Sequence, residues 1–237
     1  MGTVGDFLRK YLAEYEFDFD DVMIKKFEIY ANILIEWNKK INLTSIVEPE
    51  QIVIKHFLDS VVTLKYAEIP CGSKLIDVGT GAGFPGIPIK ILRPDIDLTL
   101  LDSLNKRVNF LIYLLNESEI EAAVIHGRAE DFGRSIEFRE NFDVATSRAV
   151  ARLNVLAEYC LPLVKVSGSF IALKSNNIDE EIEESKSAFK TLGGKINSIK
   201  KLNLPKNNPR SIITIKKVSK ISDKYPRVNS KIAKNPL

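Results

Sequence analysis

Apolar residues recur early in the chain with the spacing of an amphipathic helix. One apolar face is formed, at intervals of four and three residues, by Met23, Phe27, Tyr30, Leu34, Trp37 and Ile41. Asp20 or Asp21 stands just before this stripe and is suited to cap the first turn. The pattern predicts a helix over 20–40. A second helix is predicted to begin near Pro49 and to end before Pro70-Cys-Gly72. Residues 1–72 are therefore expected to form an N-terminal helical extension.

Beyond residue 73 the pattern changes to short β-branched runs that alternate with helical segments. Strands are predicted over 74–78, 97–101, 122–126, 142–146 and 169–173, and helices over 86–92, 105–117, 151–164 and 178–191. This alternation is typical of βαβ units in a doubly wound, mostly parallel sheet. Two further apolar runs, 196–202 and 211–217, are expected to add antiparallel strands at the C-terminal edge. The predicted fold class is thus α/β, in one domain over 73–237.

The bulk composition, 45% hydrophobic and 27% charged, is that of a globular protein. No apolar run is long enough to span a membrane, and the first residues lack the layout of a signal peptide, so a cytoplasmic protein is expected. Cys71 and Cys160 are far apart and neither belongs to a CxxC motif. Neither a disulfide framework nor a metal site is predicted.

The net charge of +3 conceals a strong asymmetry along the chain. From residue 195 onward there are twelve Lys or Arg and one acid, Asp223, which gives +11, while residues 1–194 carry −8. A solvated flexible tail is one interpretation. However, the basic residues alternate with apolar runs such as Ile212-Ile213-Thr-Ile215, which indicates a folded segment. We therefore expect a nucleic-acid surface there.

Four consecutive predicted strands end in polar or glycine-containing residues: Asp77 to Gly79, Asp102, 127–131 and Ser147-Arg148. In doubly wound folds the ligand binds at this edge of the sheet. Gly81-Ala-Gly83-Phe-Pro-Gly86 also fits G-x-G-x-x-G, and Asp102 follows 21 residues after its first glycine, so a NAD-dependent oxidoreductase is one alternative.

Two features of the glycine loop favour S-adenosylmethionine instead. Pro85 and Pro88 remove backbone donors that a pyrophosphate would need. Asp77 is placed to hold the ammonium of the methionine part, directly or through water, and the carboxylate of that part would meet free N–H groups at the following helix start. Asp102 is placed to accept the two ribose hydroxyls, and Gly79 and Gly81 allow the backbone to approach the ligand closely.

Several motifs resemble one known family. They are Asp77-Val-Gly-Thr-Gly-Ala-Gly-Phe-Pro-Gly86, Leu101-Asp-Ser-Leu-Asn-Lys-Arg107, Gly127-Arg-Ala-Glu130, Ser147-Arg-Ala-Val-Ala151 and His56-Phe-Leu-Asp-Ser60. With the end pieces Lys224-Tyr-Pro-Arg227 and Lys234-Asn-Pro-Leu237, they resemble the small-subunit ribosomal RNA methyltransferases that form 7-methylguanosine, known as glucose-inhibited division protein B. The resemblance covers nearly the whole chain. It implies a Rossmann-like class I methyltransferase fold, S-adenosylmethionine as cofactor, and cofactor contacts from Gly79, Phe84, Ala129, Glu130 and Arg148.

The resemblance also implies an RNA partner, the small ribosomal subunit, and a monomer is expected. The candidate RNA contacts are Lys174, Arg210, Lys216 and Lys217. Because guanine N7 bears no proton, no catalytic acid or base is assigned, and positioning carries the reaction. Arg148 is expected at the cofactor carboxylate or at guanine O6. A non-enzymatic RNA-binding or assembly factor remains a further alternative.

His56 and Asp59 stand three residues apart on one helical face. We expect them to form a pair that fixes the N-terminal helices onto the core, rather than to transfer protons.

Overall fold

The computed structural model describes residues 2–175 and 178–237, and it contains one seven-stranded sheet between two layers of helices. The strands are β1 (Lys74–Val78), β2 (Asp97–Asp102), β3 (Ala123–His126), β4 (Phe142–Arg148), β5 (Val164–Lys174), β6 (Gly194–Leu204) and β7 (Asn208–Lys217). Their spatial order is β3-β2-β1-β4-β5-β7-β6. All neighbours from β3 to β5 pair in parallel, whereas β7 is antiparallel to β5 and to β6. The predicted α/β class, with antiparallel edge strands, is confirmed.

The helices surround this sheet. They are α1 (Val4–Glu14), α2 (Asp21–Ile41), α3 (Pro49–Ile52), a π-helical segment (Val53–Leu58), α4 (Asp59–Val61), α5 (Thr63–Tyr66), α6 (Gly86–Leu92), α7 (Asn105–Glu117), α8 (Ala129–Phe132), α9 (Leu153–Cys160), α10 (Asp179–Thr191) and α11 (Asn229–Lys234). The stripe that predicted a helix over 20–40 is confirmed by α2, and Asp20 caps it by accepting the N–H of Met23 at 2.8 Å.

Other boundaries differ from the prediction. The helix predicted from Pro49 to about residue 70 is a series of short helical turns that ends at Tyr66, with a π-helical segment in the middle. The helix predicted over 151–164 ends at Cys160. It is shorter than predicted because β5 already begins at Val164, five residues before the strand predicted over 169–173. No individual helix was predicted for α1, which lies within the N-terminal segment expected to be helical, or for the short α8 and α11.

The two faces of the sheet bury separate hydrophobic clusters. The first cluster contains Phe27 of α2 together with Leu75 of β1 and Leu100 of β2, so the N-terminal helices pack directly on the sheet. The second cluster, on the other face, contains Leu156 of α9 and Phe189 of α10. Strand order reverses between β1 and β4, so the carboxyl ends of these strands open a crevice.

Within the two described ranges, no helix has the combination of length and apolar composition that crossing a membrane requires.

Candidate functional site

The glycine loop after β1 is organised by Asp77. This carboxylate is fully buried, and its Oδ2 accepts the Thr80 hydroxyl at 2.6 Å and the Gly86 N–H at 2.9 Å, while Oδ1 accepts the Thr146 hydroxyl at 3.3 Å. Burial raises the pKa of Asp77 to about 6, and the hydrogen bonds oppose the increase. Asp77 therefore holds the loop together, and its full burial excludes a direct contact with a ligand ammonium. The contact through water stays a prediction.

Most backbone donors of the loop are also occupied. The N–H groups of Gly79 and Thr80 donate to Leu101 O, those of Gly83 and Phe84 to Thr80 O, and that of Ile87 to Gly83 O. Gly81 N–H donates to Asp102 Oδ2 at 2.9 Å. The expectation of free N–H groups at the start of α6 is thus wrong as well. A loop whose donors are used internally is also a poor site for a pyrophosphate.

A first cleft of about 170 Å³ lies at the carboxyl ends of β1, β2 and β3. Its lining includes Gly79, Asp102, Ala129 and Glu130. The backbone at Gly79 has φ of +69°, and a Cβ there would lie 2.6 Å from Val150 Cγ2, so glycine is required. Gly81 lies beside this cleft, at φ of +64°, and is tied to it through Asp102.

The polar groups of the first cleft suit a nucleoside. Asp102 is 2% exposed and accepts the N–H groups of Gly81 and Leu104, each at 2.9 Å. A carboxylate has about four acceptor sites, so capacity remains for ribose hydroxyls. Glu130 is 5% exposed, and within the described residues its only ion pair is with Arg128 at 4.0 Å. It is therefore free to accept an amino group.

A second cleft of about 590 Å³ lies at the carboxyl ends of β4 and β5, against the N-terminal helices. Arg148, Lys174 and Arg210 line it. Lys174 Nζ donates to Glu181 Oε1 and to Ala151 O, each at 2.6 Å. Glu181 also accepts the N–H of Leu153, the first residue of α9. One carboxylate thus positions both a cleft lysine and the loop that follows β4.

Arg148 connects the second cleft to the N-terminal helices. Its Nη1 donates to Asp59 Oδ2 at 2.9 Å and to Lys55 O at 3.2 Å, and its guanidinium carbon lies 4.7 Å from the Phe84 ring centroid. His56 also stacks on Phe84, with centroids 4.6 Å apart. The side chain of Phe84, a predicted cofactor contact, is 6% exposed, and Phe84 is not part of the lining of either cleft.

His56 does not pair with Asp59, so that prediction is wrong. Its Nε2 lies 2.9 Å from the Thr44 hydroxyl, and Asp59 binds two arginines instead. Burial, followed by the nearby Arg148 charge, lowers the pKa of His56 to about 3. The imidazole is therefore neutral at physiological pH.

The two predicted RNA contacts at the end of β7 have different surroundings. Lys217 is fully buried, and its ammonium donates to Glu140 Oε1 at 2.8 Å, Leu161 O at 3.0 Å and Val164 O at 2.6 Å. The prediction that Lys217 contacts RNA is therefore wrong, because its side chain is buried in an ion pair with Glu140. Lys216 is partly exposed on the opposite face, where it pairs in register with Lys195 of β6. Both residues lie outside the two clefts.

Val150 and Tyr159 are among the cleft residues that sequence reasoning missed. Val150 lines both clefts, although it lies within the Ser147-Arg-Ala-Val-Ala151 motif that drew attention to this strand end. Tyr159 of α9 lines the first cleft and donates its hydroxyl to Asn229 Oδ1 at 2.7 Å. No local pattern distinguishes this tyrosine from a core residue. Among the described residues, no cluster of His, Cys, Asp or Glu is arranged to hold a metal ion.

Strand order, the antiparallel β7 and the cleft at the carboxyl ends of β1 and β2 are typical of the fold of S-adenosylmethionine-dependent methyltransferases. Solved structures agree. An S-adenosylmethionine-dependent methyltransferase from Aquifex aeolicus superposes with a TM-score of 0.52 at 16% identity, over 76% of this chain and 97% of that chain. TYW2 from M. jannaschii, solved in complex with AdoMet, gives a TM-score of 0.50 at 13% identity, over 62% of this chain and 69% of that chain. These likenesses concern the fold.

Sequence comparison identifies the family. The family model described as rRNA small subunit methyltransferase G (GidB) matches residues 23–212. The ribosomal RNA small subunit methyltransferase G of Desulforamulus reducens is 52% identical over 232 residues, 97% of each chain. That of Clostridium beijerinckii is 51% identical over 215 residues, 90% of each chain. The chain belongs to the rRNA small subunit methyltransferase G family, which confirms the predicted family and S-adenosylmethionine as its cofactor. The NAD-dependent alternative is set aside.

Proposed function

We propose that the protein transfers a methyl group to N7 of a guanine in small-subunit ribosomal RNA, with the first cleft holding the adenosine part of the cofactor and the second the base. The observation that carries this proposal is that Val150 lines both clefts. A ligand in one cleft would therefore adjoin a ligand in the other. S-adenosylmethionine supplies an activated methyl group when bound, and the protein supplies proximity and orientation.

In the first cleft, Asp102 would accept the ribose hydroxyls and Glu130 would accept the adenine amino group. The Ala129 backbone would border the ring, and Gly79 and Gly81 would let the loop approach the ligand. This proposal is supported by the residual acceptor capacity of the two buried carboxylates.

The charge states of the side chains in the second cleft support methylation at N7 over methylation at an RNA atom that must first lose a proton. Among the described lining residues, both carboxylates, Asp59 and Glu181, are held in ion pairs, and His56 is a weak base with a pKa of about 3. Methylation of a ribose hydroxyl needs a base to remove the proton, whereas the N7 lone pair is already available. Arg148 and Lys174 would donate to acceptors of the base, such as O6.

Contacts to the RNA backbone would come from Arg210 in the cleft and from partly exposed or exposed lysines on the β6–β7 hairpin. Lys216 and its neighbour Lys195 lie on the same face of this hairpin. Phosphate contacts of this kind give affinity that falls with salt concentration.

The direct test is methyl transfer followed by nucleoside analysis. Small-subunit RNA from cells lacking the gene, both naked and assembled, would be incubated with the protein and labelled S-adenosylmethionine, then digested and analysed by mass spectrometry. We expect label in 7-methylguanosine. Label in another nucleoside would refute the N7 assignment, and absence of label from both substrates would favour the non-enzymatic RNA-binding alternative.

Matched variants of β2 test the cofactor cleft in the same assay. Asp102→Asn should abolish most transfer, whereas Asp97→Asn at the exposed start of the same strand should not. Equal activity of the two variants would exclude Asp102 from cofactor binding.

We further propose that the protein is cytoplasmic, because its RNA substrate is part of a cytoplasmic particle, and that it acts as a monomer. We also propose that residues 1–72 and 73–237 form one folding unit, since the first hydrophobic cluster draws on both. Light scattering would test the monomer, and a single urea transition seen by two probes would test the folding unit.

A further inference from the structure

Asp59 holds two arginines that are far away in sequence. Its Oδ2 accepts Arg148 Nη1 at 2.9 Å and its Oδ1 accepts Arg210 Nε at 2.8 Å. The Asp59 side chain is 6% exposed, and those of Arg148 and Arg210 are 13% and 21% exposed. All three residues line the second cleft. Asp59 of α4 thus connects the N-terminal helical segment to the carboxyl end of β4 and to the beginning of β7.

The arginines keep hydrogen-bonding capacity after these contacts. A guanidinium has five N–H donors. Arg210 donates through Nε to Asp59 and through Nη1 to Pro209 O, and within the described residues its Nη2 has no acceptor. Arg148 directs Nη1 to Asp59 and Lys55, and within the same residues its Nε has no acceptor. Donors therefore remain on both side chains at the wall of the cleft.

The charge of the cleft is not balanced. Its lining contains four cationic side chains, Lys55, Arg148, Lys174 and Arg210, and two carboxylates, Asp59 and Glu181. Glu181 is paired with Lys174, so a single carboxylate serves both arginines. Partial burial weakens screening by water, which makes the remaining positive charge favourable for an anion.

We propose that Arg148 and Arg210, positioned by Asp59, form a subsite for one oxyanion in the second cleft, taken either from the cofactor carboxylate or from the target nucleotide phosphate. The inference rests on the proposed function, because it assumes that cofactor and nucleotide meet at this cleft. The cofactor carboxylate is a candidate since the N–H groups of Gly86 and Ile87 are occupied. Asp59 is a positioning residue, because it acts through the arginines.

Calorimetric binding to the full chain tests the subsite with two pairs of probes. Guanosine 5′-monophosphate is compared with guanosine, and S-adenosylmethionine with its decarboxylated analogue. In each pair, the charged probe is the member that carries the oxyanion. In Arg210→Gln or Arg148→Gln, we expect the charged probe of one pair to bind about tenfold to a hundredfold more weakly, while its partner without the oxyanion is unchanged. Loss in the first pair identifies the phosphate, and loss in the second identifies the carboxylate. Arg9→Gln, at an exposed ion pair with Asp21, is the matched control.

The subsite is refuted if the wild type discriminates in neither pair, or if both arginine variants keep the wild-type ratios. These measurements require no methyl transfer. Failure to form 7-methylguanosine would therefore overturn the proposed function while the anion effect remained measurable.

Asp59→Asn separates positioning from simple neutralisation. If Asp59 only cancels charge, its removal should tighten binding of the charged probe. We expect about tenfold weaker binding instead, because the two guanidiniums lose the group that holds them together. Tighter binding would refute the positioning role. If this variant fails to fold, as judged by its thermal transition, Asp59→Glu restores the charge on a longer side chain. We expect Asp59→Glu to keep the preference for the charged probe, and loss of that preference in a folded variant would refute the positioning role.

Discussion

Replacing Lys217 with methionine should destabilise the protein, whereas the same replacement of Lys216 should not. The two lysines are adjacent on β7 and face opposite sides of the sheet. Lys217 is fully buried and donates to Glu140, Leu161 O and Val164 O, while Lys216 is partly exposed. Burial lowers the pKa of Lys217, and the ion pair with Glu140 opposes the decrease.

The magnitude follows from the three acceptors. Methionine has a similar volume, so little cavity forms, but two buried carbonyls lose their donor and Glu140 loses its partner. Breaking a buried ion pair costs about 3–5 kcal/mol. Because the Glu140 side chain is 21% exposed and can be partly hydrated, we expect the lower end, about 3 kcal/mol. Lys216→Met should change stability by no more than about 0.5 kcal/mol.

Urea unfolding and RNA binding at several salt concentrations measure the two effects separately. At an m-value of about 3 kcal/mol/M, Lys217→Met should lower the urea midpoint by about 1 M. Lys216→Met should keep the midpoint and reduce the slope of log K against log salt by about one. A folded Lys217→Met protein with a normal midpoint and a reduced salt slope would refute the reasoning.

Three further predictions concern the glycine loop. The folded pKa of Asp77 is about 6, above its unfolded value, so its stabilising contribution is present below about pH 4 and is lost as the pH rises through 6. Relative to Asp77→Asn, the free energy of unfolding of the wild type in urea should fall by about 3 kcal/mol over this pH range. Parallel curves of unfolding free energy against pH for the two proteins would contradict the prediction. Asp102→Asn should weaken S-adenosylmethionine binding about tenfold to a hundredfold by calorimetry, with Asp97→Asn unchanged. Tyr30→Phe leaves Ala82 O without its donor, so it should cost about 1–2 kcal/mol and also weaken cofactor binding, and unchanged affinity would uncouple α2 from the loop.

Features encoded by local periodicity could be predicted from the sequence. The stripe from Met23 to Ile41 and the cap at Asp20 predicted α2, because one helical face must be apolar to pack on the sheet. The polar strand ends indicated the edge of the sheet where both clefts lie, since parallel strands bring their carboxyl ends together. Asp102 and Glu130, which line the first cleft, were selected in this way, and their contact with the cofactor stays a prediction.

Contacts between distant residues left no local signal. Asp59 is separated from Arg148 by 89 residues and from Arg210 by 151, so its partners could not be inferred from its neighbours. Lys217 did carry a signal that the charge count obscured. Alternation places it on the same face as Ile213 and Ile215, which are both buried, so the strand pattern indicated an inward side chain where the sequence analysis expected an RNA contact.

The hydrogen bond from Tyr30 to Ala82 O couples the glycine loop to α2, a helix that does not line the first cleft. By thermodynamic linkage, a ligand that binds the loop more tightly when α2 is formed also stabilises α2, and the two effects have the same coupling free energy. S-adenosylmethionine should therefore slow amide hydrogen exchange in the middle of α2, and a change that frays α2 should raise the dissociation constant of the cofactor. Helix and loop would then report on each other, so that cofactor occupancy could be followed from a part of the molecule that the cofactor does not touch.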